Sequence, residues 1–145
     1  MSLQGKVSSL ILWLFALVAN AQINTNSVMV MGRNALYYED YVVAIGRFNM
    51  VIAAKPYLAE PYFYRGLAKF YLEDFTGAEA DCDAAIERNR YTSSPYVLRG
   101  LCRINLRRYA EAGADYERVI VLEPTNKSAW HKLVLCRIED KRLDA

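Results

Sequence analysis

The side chains that could carry chemistry in this chain are three cysteines and one histidine. Cys82, Cys102 and Cys136 form no C-x-x-C pair, and His131 has no second histidine with which to share a metal ion. A role as small buried filler is therefore favoured for the cysteines, and a surface or groove position for His131. We expect no metal site and no cofactor.

A disulfide between Cys102 and Cys136 is not expected, although they are 34 residues apart and so one repeat apart in the pattern below. Equivalent positions on packed helices lie roughly 8–10 Å apart. A disulfide needs Cα atoms within about 7 Å.

Carboxylates could supply acid–base chemistry, but Asp81 and Asp83 are two residues apart and would not face each other on a helix. A structural role is available instead, because Arg65 and Asp81 recur as Arg99 and Asp115 at the same separation. In the first unit both members change together, to Met31 and Arg47, so we predict an ion pair between the two helices of a unit wherever both members are present. No motif supports an enzyme within these residues.

These residues belong to a pattern that is written twice, in residues 59–92 and 93–126, with a weaker copy in 25–58 and half a copy after 126. The matching pairs of the two strong copies include Pro61 and Pro95, Tyr62 and Tyr96, Gly66 and Gly100, Phe75 and Tyr109, Ala78 and Ala112, and Ile86 and Ile120. A fixed period of this length is typical of a solenoid of stacked units.

The pattern resembles the tetratricopeptide repeat, from about Thr25 to the C-terminus. Three residues depart from the family pattern. Val28 stands at a repeat position that is usually aromatic, Arg90 at one that is usually proline and Val134 at one that is usually glycine. The resemblance implies an all-α superhelix, a tetratricopeptide-type solenoid of about three and a half helix-turn-helix repeats. Helices are predicted near residues 27–39, 41–54, 61–73, 75–88, 95–107, 109–122 and 128–142, with Ser94 a possible N-cap before Pro95.

Residues 1–21 have the pattern of a secretory signal peptide. They combine a positively charged N-terminal region, an apolar run and the small-x-small cleavage site Ala19-Asn20-Ala21. The apolar run, Leu10 to Ala19, is too short to span a bilayer. An uncleaved anchor is the alternative.

Residues 22–26 are predicted to be a lead-in and 27–145 the repeat domain, with repeats 25–58, 59–92 and 93–126. The expected location is outside the cytosol, periplasmic or secreted, with a bacterial envelope suspected.

The segment 127–145 is predicted to be a partial repeat or a capping helix. As a cap, Trp130, Leu133, Val134 and Ile138 would cover the open end of the third unit. The alternative is that a further helix follows and that the chain is cut from a longer one.

Composition excludes some classes of function. The chain is 54% hydrophobic and 23% charged, which is ordinary for a globular domain, and its net charge of +2 does not argue for nucleic acid. A basic edge still runs along the C-terminal half, formed by Lys69, Arg103, Arg107, Arg108, Arg137, Lys141 and Arg142. It is either a solvated face with scattered acidic partners or a patch for an acidic partner.

By resemblance, the inner face of the first helices would hold a partner. Its residues here are Met29, Arg33, Leu36, Tyr37, Phe63, Leu67, Phe70, Tyr71, Val97, Leu101, Ile104, Asn105, His131 and Leu135. Relatives that grip chaperone C-termini place Lys and Asn at points occupied here by Met29, Phe63, Val97, Arg33, Leu67 and Leu101. The carboxylate clamp is therefore absent, and the face is apolar and aromatic.

The expected function is an exported, non-catalytic scaffold that binds a protein or peptide partner in this groove, with Phe63, Phe70 and Tyr71 as anchors. Self-association through the array ends is possible. The alternative is a repeat segment of a larger envelope assembly or enzyme, with its chemistry outside these residues.

Overall fold

The computed structural model describes residues 24–143, which form seven helices and no strand. The helices, numbered α1 to α7 in chain order, are Thr25–Tyr37, Tyr41–Ala54, Glu60–Tyr71, Phe75–Arg88, Ser94–Asn105, Tyr109–Leu122 and Lys127–Leu143. The predicted signal peptide lies outside the described residues.

Each helix packs against the next one in the chain, and α1 also contacts α3, as α3 contacts α5. Three helical hairpins (α1–α2, α3–α4 and α5–α6) are therefore stacked in order, and α7 packs on the last of them. This arrangement confirms the predicted all-α solenoid of repeated helix-turn-helix units.

Side-chain caps fix where four of the helices begin. Asn24, Asp40, Asp74 and Asn126 each accept a hydrogen bond from the backbone N–H three residues on, at 3.2, 3.3, 2.9 and 3.0 Å. Because of the cap at Asn24, α1 begins at Thr25, so the predicted start at residue 27 is two residues late. Arg108 occupies the equivalent position before α6 and makes no such bond.

The start of α5 also differs from the prediction. The residue before the helix is Ser93, and Ser94 is its first residue, with Pro95 at the second position. The Ser93 side chain makes no capping bond to the helix and donates its hydroxyl to Glu123 instead. Pro61 holds the same second position in α3, where a missing N–H costs nothing.

The first helix of each hairpin ends two residues before its predicted end. The cause is a left-handed residue in each turn: Glu39, Glu73 and Arg107 have φ of 60°, 61° and 59°. The N–H groups of this residue and of the next one bond back to carbonyls of the last helical turn at 2.8–3.0 Å, as in a Schellman motif. No glycine stands at these positions, so the usual stop signal was missing.

Buried side chains form three clusters along the stack. The N-terminal cluster comprises Val28, Met29, Ala44, Phe48, Val51 and Ala68. The central cluster comprises Ala78, Cys82, Leu98 and Cys102. The C-terminal cluster comprises Tyr96, Ala112, Tyr116, Val119, Ala129, Leu133 and Cys136. The core is thus distributed along the array, as expected when each unit packs only on its neighbours.

Glycines of the first helices let the second helices approach closely. A Cβ added to Gly32 would lie 2.6 Å from the Phe48 ring, and one added to Gly100 would lie 2.8 Å from the Tyr116 ring. At Gly66 it would lie 3.1 Å from a side chain and 3.2 Å from the backbone of α4. Each of the three glycines therefore lies close against the second helix of its own hairpin, as the repeat requires, although only Gly32 and Gly100 face an aromatic ring.

The prediction that four side chains of α7 cover the open end of the third unit is wrong for three of them. Leu133 is buried, but Trp130, Val134 and Ile138 are each at least half exposed. The reason is the rotation of α7, which packs on α6 through the stripe that contains Ala129 and Leu133. The opposite stripe therefore faces outwards.

We expect Tyr116→Phe to raise the free energy of unfolding by about 1 kcal/mol. The Tyr116 hydroxyl is buried and is the one side-chain polar atom in residues 24–143 that is both buried and without a hydrogen-bond partner. Phe48 fills the equivalent position of the first hairpin without a hydroxyl. Urea unfolding followed by circular dichroism measures the change, and a loss of stability would show that the hydroxyl has a partner in solution.

Candidate functional site

Two adjoining clefts open along α3 and α5, and both are lined by Phe63. Their volumes are about 420 and 370 Å³. The first is lined by Leu58, Ala59, Glu60, Phe63, Tyr64, Asn89, Thr92, Ser94 and Pro95. The second is lined by Phe63, Leu67, Ser93, Ser94, Val97, Leu98, Leu101, Glu123 and Asn126. Volumes of this size lie within the range that is typical of protein ligand pockets.

The walls of the clefts are held in place by the core behind them. Phe63 and Leu67 pack against the central cluster. The Phe63 ring lies 5.2 Å from that of Tyr64, and the Tyr64 ring stacks at 5.7 Å on Phe48 of the N-terminal cluster. The apolar floor therefore has a fixed shape without a bound partner.

The rim of the clefts is polar. Arg33 of α1 donates to Glu60 at 3.2 Å, and both side chains are about half exposed. Glu123 accepts hydrogen bonds from Ser93 and Asn126, and these bonds lower the pKa of its carboxyl. Glu123 thus remains ionised at neutral pH beside the second cleft.

Of the predicted groove residues, Phe63, Leu67, Val97 and Leu101 are brought together in these clefts. Ile104 lines a separate cleft of about 230 Å³ between α5 and α7, together with the predicted Leu135 and with Lys132.

Other predicted groove residues lie elsewhere. Met29 is only 7% exposed and belongs to the N-terminal cluster, so it offers little surface to a partner. Tyr37 is 79% exposed at the end of α1. Tyr71 stacks on Tyr41 at 5.1 Å, which places its ring beside the turn of the first hairpin.

The remaining predicted positions have mixed environments. Leu36 packs on the N-terminal cluster, and Phe70 packs on the central one. The Asn105 amide donates to the Leu101 carbonyl of its own helix at 2.9 Å. His131 is exposed on α7, and Arg33 is the rim residue described above.

The predicted ion pairs between the two helices of a hairpin are confirmed. Arg65 donates to Asp81 at 2.5 Å, and Arg99 donates to Asp115 at 2.6 Å. The two carboxylates are 5% and 2% exposed, so these pairs are buried rather than superficial. They fix α3 on α4 and α5 on α6.

A further buried carboxylate, Glu79, was not predicted from the sequence. It bonds Arg103 at 2.8 Å and Arg108 at 2.6 Å. Burial alone would raise the pKa of the Glu79 carboxyl, but the hydrogen bonds from the two arginines outweigh it and lower the pKa. The equivalent residues of the other hairpins are Ile45 and Gly113, so the repeat pattern carried no signal for this site.

Five of the seven residues of the predicted basic edge pair with carboxylates inside the chain. They are Lys69, Arg103, Arg108, Arg137 and Arg142. Among residues 24–143, Arg107 and Lys141 have no ion-pair partner. This pairing favours a solvated edge with internal partners over a patch for an acidic partner.

The three cysteines are buried and unpaired, in agreement with their predicted role as filler. Burial raises the pKa of the Cys102 thiol to about 12, and it raises the pKa values of Cys82 and Cys136 too. The thiolate form is therefore suppressed at neutral pH, and with it nucleophilic or metal-binding chemistry.

Within the described part of the chain, no group of three or more His, Cys, Asp or Glu residues is placed to hold a metal ion. None of the helices in residues 24–143 combines the length and apolar character that crossing a bilayer requires.

No protein-family model and no curated protein matches the chain. Solved structures do. The first TPR of Spaghetti (RPAP3), bound to the HSP90 peptide SRMEEVD, is 31% identical, with 86% of this chain and 96% of that one covered and a TM-score of 0.77. The Arabidopsis OM64 TPR domain is 29% identical, with coverages of 80% and 96% and a TM-score of 0.76.

MamA has a TM-score of 0.80 over 87% of this chain and 74% of its own, at 19% identity, and so supports the fold alone. The repeated hairpins, the glycine columns and the identity to the first RPAP3 domain lead to one conclusion. The chain belongs to the tetratricopeptide repeat family.

Proposed function

We propose that this protein is an exported, non-catalytic adaptor that holds a peptide segment of a partner protein in the two clefts around Phe63. The observation that carries the proposal is the position of this ring, which lines both clefts. A peptide crossing it could place one apolar side chain on either side. Aromatic residues at such central positions tend to dominate binding energy.

Relatives support peptide binding as the general activity. One matched structure is a TPR domain bound to an HSP90 peptide, and another, the second TPR domain of human RPAP3, is in complex with an HSP70 peptide. Both peptides end in the acidic sequence EEVD.

The clefts of this chain favour a different ligand chemistry. Phe63, Leu67, Val97 and Leu101 provide an apolar floor, and no lysine lines either cleft. The ionised Glu123 on the rim would repel an acidic tail. We therefore propose a neutral or basic segment with apolar side chains as the ligand.

Export is part of the proposal and rests on residues 1–21. Burial of all three cysteines, without a disulfide, suits an oxidising compartment because it keeps the thiols from oxidants. Expression of the full chain with a C-terminal tag in a bacterial host, followed by fractionation and N-terminal sequencing, tests it. An uncut chain in the cytosol would contradict export.

A second candidate function, as a segment of a larger assembly, is favoured by the outer stripe of α7. Trp130, Val134 and Ile138 are each at least half exposed on this helix. A separate cleft of about 220 Å³ between α6 and α7 is lined by Tyr109, Leu133 and Cys136. A further helix could pack on the exposed stripe, as α6 packs on α5.

We expect Phe63→Ala to weaken peptide binding about 30-fold, because about 2 kcal/mol is typical for truncating a central aromatic anchor. The probes are synthetic nine-residue peptides, neutral or basic, with Phe or Leu at two variable positions, and fluorescence polarisation gives Kd. The HSP90 peptide SRMEEVD serves as the acidic comparison.

Tyr91→Ala is the matched control, since Tyr91 is 78% exposed and lines neither cleft. Circular dichroism melting shows whether each variant is folded. Equal loss of binding in both variants would overturn the assignment of the clefts. Preference for SRMEEVD would overturn the proposed ligand chemistry but leave peptide binding intact.

A further inference from the structure

The turns inside the hairpins form an edge of the stack with a regular pattern of charge. We call it the turn edge and define it by the turns after α1, α3 and α5 together with the last turn of α7. Residue pairs one repeat apart occupy it: Glu39-Asp40, Glu73-Asp74, Arg107-Arg108 and Lys141-Arg142. Two acidic pairs are followed by two basic pairs.

The second residue of each pair is used inside the molecule. Asp40 and Asp74 cap the helices that follow them, Arg108 bonds Glu79 and Glu111, and Arg142 bonds Glu139. Their charges are therefore largely compensated within the chain.

The first residue of each pair is exposed and has no ion-pair partner among residues 24–143. In three of the four pairs this residue has the left-handed backbone described above. Uncompensated charges thus follow one another along the edge as two negative ones, Glu39 and Glu73, and two positive ones, Arg107 and Lys141.

Large apolar surface accompanies the acidic half of this edge. Tyr37, Tyr38, Tyr71 and Leu72 flank its two turns and are 79%, 77%, 54% and 46% exposed. Tyr37 and Tyr38 also contact each other edge to face at 5.2 Å. Clustered exposed aromatic side chains of this kind are typical of a protein contact.

We propose that the turn edge is a dimer interface, on which a second copy of this chain docks in the antiparallel direction. In this arrangement Glu39 and Glu73 of one copy face Lys141 and Arg107 of the other, and the reciprocal contacts form at the other end. One two-fold axis closes the assembly, because the same surface is used by both copies.

The order of the charges selects this arrangement. A parallel copy would place negative turns on negative turns and positive turns on positive turns, which is repulsive. In the antiparallel copy the Arg107 guanidinium also meets Tyr71 beside the Glu73 turn, where a cation–π contact adds to the charge pairs.

Charge also argues against a polyanion as the occupant. An anionic membrane or a nucleic acid would be attracted by Arg107 and Lys141 but repelled by Glu39 and Glu73 on the same edge. A second copy complements both halves at once. The dimer leaves the clefts around Phe63 as a separate site, since none of the four charged residues lines them.

Sedimentation equilibrium of the full chain tests the dimer at low and at high salt. We expect a dimer whose Kd rises by at least about tenfold between about 50 mM and about 500 mM salt, because exposed charge pairs are screened. A chain that stays monomeric at about 0.5 mM protein in low salt would overturn the proposal.

Charge reversal identifies the surface. Glu39→Lys with Glu73→Lys, and separately Arg107→Glu with Lys141→Glu, should each raise Kd by at least about tenfold through like-charge repulsion. An equimolar mixture of these two variants should form a heterodimer, and the chain that carries all four changes should dimerise again. Failure of both rescues would overturn the antiparallel pairing.

Glu87→Lys with Lys127→Glu is the matched control, because both side chains are exposed and lie away from the turn edge. This variant should dimerise like the parent chain. Circular dichroism establishes that every variant is folded. If anionic vesicles bind the parent chain in a manner that depends on Arg107 while no dimer forms, the occupant is a membrane and the proposal is wrong.

Discussion

Replacing Asp115 by Ala is expected to lower the free energy of unfolding by about 3 kcal/mol, since removing one partner of a buried ion pair leaves the other charges uncompensated. The Asp115 side chain is 2% exposed and accepts from Arg99 at 2.6 Å and from Arg103 at 2.9 Å. Both arginines are largely buried, at 17% and 14% exposure. Urea unfolding at neutral pH measures the loss.

Glu117→Ala is the matched control from the same helix. Glu117 pairs with Arg137 at 2.8 Å, but both side chains are more than half exposed. Truncation of this pair should therefore cost less than about 1 kcal/mol. Equal losses in the two variants would show that burial of the Asp115 pairs adds nothing, contrary to the electrostatic argument.

The recurrence of Arg65 and Asp81 as Arg99 and Asp115 was enough to predict these pairs from the sequence. Residues one repeat apart have equivalent surroundings, so paired columns report contacts. The same logic failed for Glu79, because its column holds Ile45 and Gly113 in the other hairpins. Contacts made by one repeat only leave no periodic signal.

Helix ends, too, were predicted correctly in some helices and wrongly in others. The second helices coincide with the predicted ranges 41–54, 75–88 and 109–122, where apolar periodicity favours a helix throughout. The first helices stop two residues early, at left-handed Glu39, Glu73 and Arg107. Since glutamate and arginine rarely adopt this conformation, their types gave no warning of the turn.

The residues of the functional face were predicted from their equivalent positions in the repeats, and not from the packing around each side chain. Phe63, Leu67, Val97 and Leu101 line the clefts, whereas Met29 of the same column as Phe63 and Val97 is buried in the N-terminal cluster. Tyr71 lies on Tyr41 instead. Such differences depend on side-chain packing at the array end and at the turns, which a repeat pattern does not encode.

The glycine columns are the feature on which the stacked fold depends most directly, and Gly100→Leu should cost about 3 kcal/mol of unfolding free energy. A Cβ at this buried position would lie 2.8 Å from Cε2 and 3.0 Å from Cζ of Tyr116. The ring is itself fully buried, so neither group can move aside without disturbing α5 and α6.

Gly46→Leu provides the control within a helix of the same protein. No atom lies within 4 Å of a Cβ added to Gly46, which is exposed on α2. This change should therefore stabilise the chain by up to about 1 kcal/mol through helix propensity.

Combining Gly100→Leu with a second substitution tests whether its cost comes from the contact with the Tyr116 ring. Tyr116→Cys gives residue 116 the side chain of its equivalent in the second hairpin, Cys82. In that background Gly100→Leu should cost less, because the ring that it strikes is gone. Thermal and urea unfolding of the single and double variants decide the matter. A similar penalty at Gly46 and Gly100, or no relief when Tyr116→Cys is combined with Gly100→Leu, would show that the contact with the Tyr116 ring is not the source of the cost.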